Sequence, residues 1–203
     1  MKVILLNGGP HEKGCTHTAL NEVAGALNAQ GIETRLIWVG NEPIAGCSDC
    51  GACEKTDRCF RNDGVNAFLD AAERADGFVF GSPVHYAAAT GAITSFLDRA
   101  FYAGAGSFAG KPGAAVVSCR RGGASATFDQ LNKYFTIAGM PVAPSQYWNS
   151  VHGNSPDEVR RDLEGMQTMR TLGRNMAWLL KSISFANIPL PEREPRVWTN
   201  FIP

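Results

Sequence analysis

The chain has 203 residues, 44% of them apolar, and its 19 lysines and arginines balance its 19 aspartates and glutamates. That is enough apolar content for one substantial core, and a formal net charge of zero argues against nucleic acid or an anionic membrane surface as a partner. Neither a signal-peptide pattern nor a run of about 20 apolar residues is present, so the expected location is the cytoplasm, where thiols stay reduced.

Strand and helix signals alternate from the start. Val3, Ile4, Leu5 and Leu6 read as a buried strand, followed by a glycine turn and a helix from about Thr16. Leu20, Val23, Ala24 and Leu27 share one stripe of that helix, with Gly31 at its end. Residues 32–39 form the second predicted strand. A cysteine-rich stretch with little periodicity follows, and Asp63 then caps a helix carrying Val65, Phe68, Leu69 and Ala72. Residues 77–81 read as strand three, Ile93, Phe96, Leu97 and Phe101 as the next helix, and 114–118 as strand four. Phe128, Leu131 and Phe135 mark another helix. Residues 142–148 are the expected fifth strand, placed at an edge because prolines stand at 141 and 144. Ser155-Pro156-Asp157-Glu158 is a capping box opening a long last helix, with Leu163, Met166, Met169, Leu172, Met176, Leu179, Leu180 and Ile183 on its apolar stripe. The proline-rich residues 187–203 are expected to lie extended.

Five such β–α units with continuous apolar strands predict a doubly wound parallel sheet covered on both faces. Ligands then sit outside the carboxyl ends of the strands, at the loops after strands one, three and four.

The first of these loops, NGGPHEKGCTHTAL (7–20), turns on glycines and ends at a helix N-terminus, where free backbone N–H groups and the helix dipole favour an anion such as phosphate. Thr16 and Thr18 are candidate hydroxyl donors. The loop matches neither G-x-x-x-x-G-K-S/T nor G-x-G-x-x-G. It resembles the phosphate loop of the NADPH-dependent FMN reductase family, N-G-S-P-R-x-x-G-N-T. Gly8, Pro10, Gly14 and Thr16 match, while Gly9, His11 and Cys15 stand where that family has serine, arginine and asparagine. Backbone donors then carry more of the phosphate, with His11 standing in for the arginine. The stretch GSPVHYAAATGAITSFLDR (81–99) is similar to the family's flavin-facing loop, and the resemblance implies Pro83, Val84, His85 and Tyr86 as flavin contacts. After strand four, Arg120, Arg121, Gly122 and Gly123 occupy the loop that in the family approaches the flavin from the other side.

The four cysteines of GCSDCGACEKTDRC (46–59), Cys47, Cys50, Cys53 and Cys59, have the spacing C-x2-C-x2-C-x5-C. The first three share the compact start of bacterial ferredoxin ligation, whereas zinc sites more often use two C-x2-C knuckles set well apart. Iron–sulfur flavoproteins, relatives within the FMN reductase group, carry such a motif after strand two. Four readings of the loop are open on sequence alone: a 4Fe–4S cluster, a metal-free thiol loop, zinc, or a disulfide.

The resemblance covers roughly the first 140 residues and implies a flavodoxin-like three-layer α/β/α sandwich with strand order 2-1-3-4-5; the expected domain spans residues 1–186, with a cysteine-rich loop at 46–63, and 187–203 form a separate tail. The activity it implies is FMN-dependent oxidation of NAD(P)H, with electrons passed to a small acceptor such as a quinone or free flavin. The flavin carries the chemistry, with His85 and Tyr86 as candidates for proton delivery. The alternatives are an electron carrier fed by ferredoxin through a cluster, and a flavin- or zinc-binding interaction module without turnover. A homodimer or tetramer is expected.

Overall fold

The computed structural model describes residues 1–195, 197–199 and 201–202. Five strands, β1 (Lys2–Asn7), β2 (Glu33–Trp38), β3 (Gly77–Pro83), β4 (Gly113–Cys119) and β5 (Ser150–His152), pair in parallel in the order β2-β1-β3-β4-β5. This is the expected flavodoxin-like order.

Alternation along each strand splits the core in two. Val3 and Leu5 of β1 face a layer made by α1 (Cys15–Asn28), α6 (Pro156–Arg161) and α7 (Leu163–Ala186). Ile4 and Leu6 face α3 (Gly64–Glu73), α4 (Gly91–Gly104) and α5 (Ala124–Ile137). One further helical turn, α2 (Cys53–Thr56), lies in the cysteine-rich segment. The second layer is unusually aromatic. Phe68 of α3 meets Phe96 of α4 edge-on with centroids 5.3 Å apart, and also packs on Phe78 and Phe80 of β3. Full burial of one such ring stabilises by about 1.5–3 kcal/mol, so α3 and α4 are held firmly against each other and the sheet.

The structure corrects two expectations near the C-terminus. The fifth strand is not 142–148. Val142 makes only an isolated bridge to Gly113, because Pro141 and Pro144 lack the donors a ladder needs. Pairing with β4 starts at Ser150, after the Asn149 side chain has donated to the Ala115 carbonyl (3.0 Å). The last helix is two helices. The Ser155 hydroxyl caps α6 by accepting from the Glu158 N–H, and Asp162 (ψ 82°) then leaves helical geometry. Its carboxylate accepts from the Gly165 N–H and the His152 N–H, which starts α7 and ties it to β5. Most of the apolar stripe is buried in α7, but Leu179 is half-buried and Leu163 and Ile183 are exposed. After Ala186 the described tail residues have no regular structure and are exposed.

Candidate functional site

Asn7, Pro83 and Cys119 end β1, β3 and β4 at the same edge of the sheet, and the loops that follow form an open cleft of about 270 Å³. Gly9, Pro10, His11, Gly14, Cys15 and Thr16 line it from the first loop, and Pro83, Val84 and His85 from the second. Ser118, Cys119 and Arg120 line it from the third, while Gly153 and Asn154 close it beyond β5.

The first loop is held by its flanks. The buried Asn7 side chain accepts from the Gly9 N–H (2.9 Å) and donates to the Glu12 carbonyl (3.1 Å). The Trp38 indole N–H donates to the Gly9 carbonyl (2.8 Å) from the end of β2. Thr90, the N-cap of α4, donates its hydroxyl to the Gly8 carbonyl (2.7 Å). Gly8 itself must lack a side chain, since a Cβ there would stand 2.5 Å from Ile93 Cβ.

No side chain caps α1, and its first internal bond runs from the Thr18 N–H to the Gly14 carbonyl. The N–H groups of Cys15, Thr16 and His17 therefore have no partner among the described residues. Three free amides at the positive end of a 14-residue helix, opening on a cleft, are the donor set an FMN phosphate requires.

The second and third loops press together. His85 and Ala88 exchange backbone hydrogen bonds around a tight turn in which Tyr86 (φ 51°) and Ala87 (φ 58°) are both left-handed. Such turns favour Asn-Gly, and left-handed non-glycine residues cost about 1–2 kcal/mol each. The strained turn leaves the Tyr86 ring fully exposed. Gly123 (φ 87°) lies directly beneath it, where a Cβ would come within 2.8 Å of Ala87 Cα and Val84 Cγ1.

A second cavity, of about 90 Å³, lies in the segment after β2, and Cys47, Cys50, Cys53 and Cys59 all line it. Left-handed residues at Asp49, Gly51 and Asp57 turn the segment sharply. Burial pushes the Cys53 thiol up, and the neighbouring Cys47, Cys50 and Cys59 add to the shift in the same direction. Cys59 is the best fixed of the four. Asn66 accepts from its N–H (3.0 Å) and donates to its carbonyl (2.8 Å), and the buried Arg99 points Nε–H at its Sγ (3.2 Å). Among the described residues no three Cys, His, Asp or Glu side chains converge closely enough to grip one metal ion. The thiols surround a space instead of meeting at a point, which suits a group of several atoms better than a single zinc.

Of the residues singled out from sequence, Gly9, Pro10, His11, Gly14, Cys15, Thr16, Pro83, Val84, His85 and Arg120 share the cleft. Thr18 does not, its hydroxyl donating to the Gly14 carbonyl, and the Thr16 hydroxyl is engaged with Ser118 Oγ (2.8 Å). Arg121, Gly122 and Tyr86 lie outside the lining, and Gly123 supports it from below. Sequence reasoning passed over Asn7, Trp38, Ser118, Gly153 and Asn154. The motif N-G-x-P contained the signal for Asn7. Gly153 and Asn154 follow β5, which was placed too early.

An α/β protein with a helix N-terminus free for phosphate at the switch point of its sheet is of the flavin-binding, flavodoxin-like class. The family model described as NADPH-dependent FMN reductase matches residues 1–155, and the chain belongs to that family; it is an FMN-dependent oxidoreductase. Among curated proteins it is 30% identical over 191 residues to an iron–sulfur flavoprotein of Methanocaldococcus jannaschii, covering 90% of this chain and 99% of that one. An iron–sulfur flavoprotein of Methanosarcina thermophila is 26% identical over 188 residues, covering 90% and 97%. Among solved structures, RosB with a bound 8-demethyl-8-formylriboflavin-5'-phosphate intermediate superposes with a TM-score of 0.72 at 15% identity, covering 100% of this chain and 92% of that one. At that identity the likeness speaks for the fold alone. Among the described residues no helix is long and apolar enough to cross a membrane.

Proposed function

We propose that this oxidoreductase carries a 4Fe–4S cluster on Cys47, Cys50, Cys53 and Cys59 and moves electrons between its flavin and a redox partner. The observation that carries the reading is the single cavity lined by all four thiols, with a buried arginine beside it. Full-length similarity to proteins named iron–sulfur flavoprotein supports it. Bound FMN supplies two-electron chemistry and the cluster a one-electron outlet. The chain's own residues do the rest. The amides of Cys15, Thr16 and His17 hold the phosphate, while Asn7, Trp38 and Thr90 fix the loop that presents them. Arg120 offers positive charge in the cleft, and His85 and His11 are cleft side chains of the type that carries a proton. Iron and acid-labile sulfide analysis of anaerobically purified protein tests the reading, as does Cys50→Ala, which should lose iron and keep FMN. Finding neither iron nor sulfide in the unmodified protein would overturn it.

The electron donor has two readings, a ferredoxin-type carrier and reduced nicotinamide. Arg120 beside an open cleft favours a phosphate-bearing nucleotide, and the family description points the same way. Anaerobic stopped-flow mixing decides: NADPH or NADH bleaches the flavin rapidly if nicotinamide is the donor, and only reduced ferredoxin does so otherwise. The acceptor is proposed to be a small molecule such as a quinone. A dimer or tetramer is proposed as the working form, covering exposed apolar residues such as Trp178 and Phe185, and a monomer mass in light scattering would refute it.

A further inference from the structure

Arg99 is the largest fully buried side chain of the described residues, with its side chain 1% exposed, and its hydrogen-bond partners lie on or beside the cysteine segment. Its Nη1 and Nη2 donate to the two Asp63 carboxylate oxygens (2.7 and 2.9 Å) in a bidentate pair. Nη1 also reaches the Ala45 carbonyl (3.3 Å), and Nε points at Cys59 Sγ (3.2 Å). One guanidinium therefore ties together residues 45, 59 and 63, which bracket the whole thiol segment. An arginine meant only to brace a loop would need backbone carbonyls and a carboxylate; it would not need to turn its remaining N–H toward a thiol sulfur.

The charges around Cys59 are unequal. Arg99 is withdrawn from solvent, so its charge is little screened, whereas the Asp63 side chain is 41% exposed and shares its charge with water. Arg99 is in hydrogen-bond contact with the sulfur, and Asp63 makes no hydrogen bond to it. Arg99 thus presents a buried positive charge to Cys59, and its directed N–H···S bond adds to that. Both stabilise whichever state of a sulfur-ligated group carries more negative charge, and hydrogen bonds to the sulfurs are one of the recognised levers on cluster potential.

We infer that Arg99 is a positioning residue that sets the reduction potential of a cluster held by Cys59, with Asp63 as its counterweight. The inference rests on the cluster reading given under the proposed function. Arg99 makes the cluster easier to reduce, and Asp63 partly opposes it. Removing one or the other should therefore move the potential in opposite directions. A purely structural brace would not show that sign change, since loosening the segment from either side of the pair has the same consequence.

The test is a dithionite titration of the anaerobically purified protein with redox dyes, following the cluster by electron paramagnetic resonance, with iron and sulfide counted in each sample. In Arg99→Gln the reduced-to-oxidised ratio at a fixed potential should fall about tenfold, a shift of ~59 mV to more negative values for a one-electron couple. Arg99→Lys keeps the charge and loses the directed bond, so it should shift the same way by less. Asp63→Asn keeps the α3 cap, because asparagine caps as well as aspartate, and should shift the potential to more positive values. If Arg99→Gln does not load iron, the opposite signs of the lysine and asparagine variants carry the test. Shifts of the same sign, potentials within about threefold of the unmodified ratio, or loss of iron from all three variants with the fold intact would each overturn the inference. Absence of iron and sulfide from the unmodified protein would instead refute the cluster reading, and the inference with it.

Discussion

Gly123 is the sharpest place to perturb the cleft without touching a ligand. Replacing it by alanine puts a side chain in the left-handed region at φ 87°, costing about 1–2 kcal/mol. The new Cβ would stand 2.8 Å from both Ala87 Cα and Val84 Cγ1, and overpacking against backbone adds about 1–3 kcal/mol. Reduced freedom of the unfolded chain returns about 0.4–1 kcal/mol. The expected net loss is about 2–3 kcal/mol, or roughly 6–10 °C in Tm for a chain of this size. The β3–α4 loop must also lift, so Kd for FMN should rise about tenfold, the equivalent of ~1.4 kcal/mol. Gly122→Ala is the control, since nothing lies within 4 Å of a Cβ there and that residue is exposed. It should change Tm by less than about 1 °C. Ala87→Gly removes a Cβ at 3.1 Å and also relieves its own left-handed strain, so the double variant is compared with Ala87→Gly alone; on that background Gly123→Ala should still cost more than half of its loss, because Ala87 Cα and Val84 remain in place. Thermal melts of the apoprotein and FMN fluorescence titrations read both quantities. Equal Tm for the two single alanine variants would refute the tight stacking of these loops.

Trp38→Phe removes the donor to the Gly9 carbonyl, and should weaken FMN binding about fivefold for a net bond of ~1 kcal/mol, with far-UV circular dichroism unchanged. The Cys15 thiol lines the cleft and is pushed up by burial, with Glu158 adding to the shift. A raised thiol keeps the unreactive protonated form to higher pH, so iodoacetamide labelling of Cys15 should be slow at pH 8, keep accelerating above the usual thiol range, and be blocked by FMN. A rate already at its plateau at pH 8 would contradict this. Burial and the Asp98 carboxylate push Tyr134 ionisation well up, its hydroxyl donating to Asp98 at 2.5 Å. Tyr134→Phe should therefore delete the most alkaline component of the tyrosinate absorbance titration; loss of amplitude in the ordinary tyrosine range instead would place Tyr134 in solvent.

What sequence could show follows from where each element's stabilising partners lie. Strands β1, β3 and β4 are buried on both faces, so their apolar runs are continuous and readable. Strand β5 is three residues long, and what holds it is pairing with β4 and an asparagine bonded 34 residues away. No local pattern encodes that, and a longer apolar run broken by prolines competed for the assignment. The capping box at Ser155 was legible because its bonds span three residues, and Asp162 was missed because half its role is to receive His152. In the cleft, glycines announced the first loop, whereas Trp38 read as an ordinary strand residue. Its indole reaches a carbonyl 29 positions back along the chain. Arg99 is the extreme case: it ends the stretch 81–99 that resembles the family's loop, but its partners lie 36 to 54 residues away and no local pattern names them.

Helix α4 joins the two candidate sites. Its N-cap, Thr90, is bonded to the phosphate loop at Gly8, and its Arg99 is bonded to the thiol segment at Ala45, Cys59 and Asp63. Nine residues of helix separate these anchors, about 14 Å of rise. The helix is fixed along that length by Phe96 against Phe68 and by the buried Ile93, Leu97 and Ala100. The spacing of flavin cleft and thiol cavity within one chain is therefore set by a rigid element and not by the loop that carries the cysteines. Loop substitutions that spare Arg99 then change how the cavity is built without changing how far it stands from the cleft. On the inference drawn for Arg99, any potential at Cys59 would answer to the guanidinium beside it, so spacing and potential would be governed by different groups on the same helix.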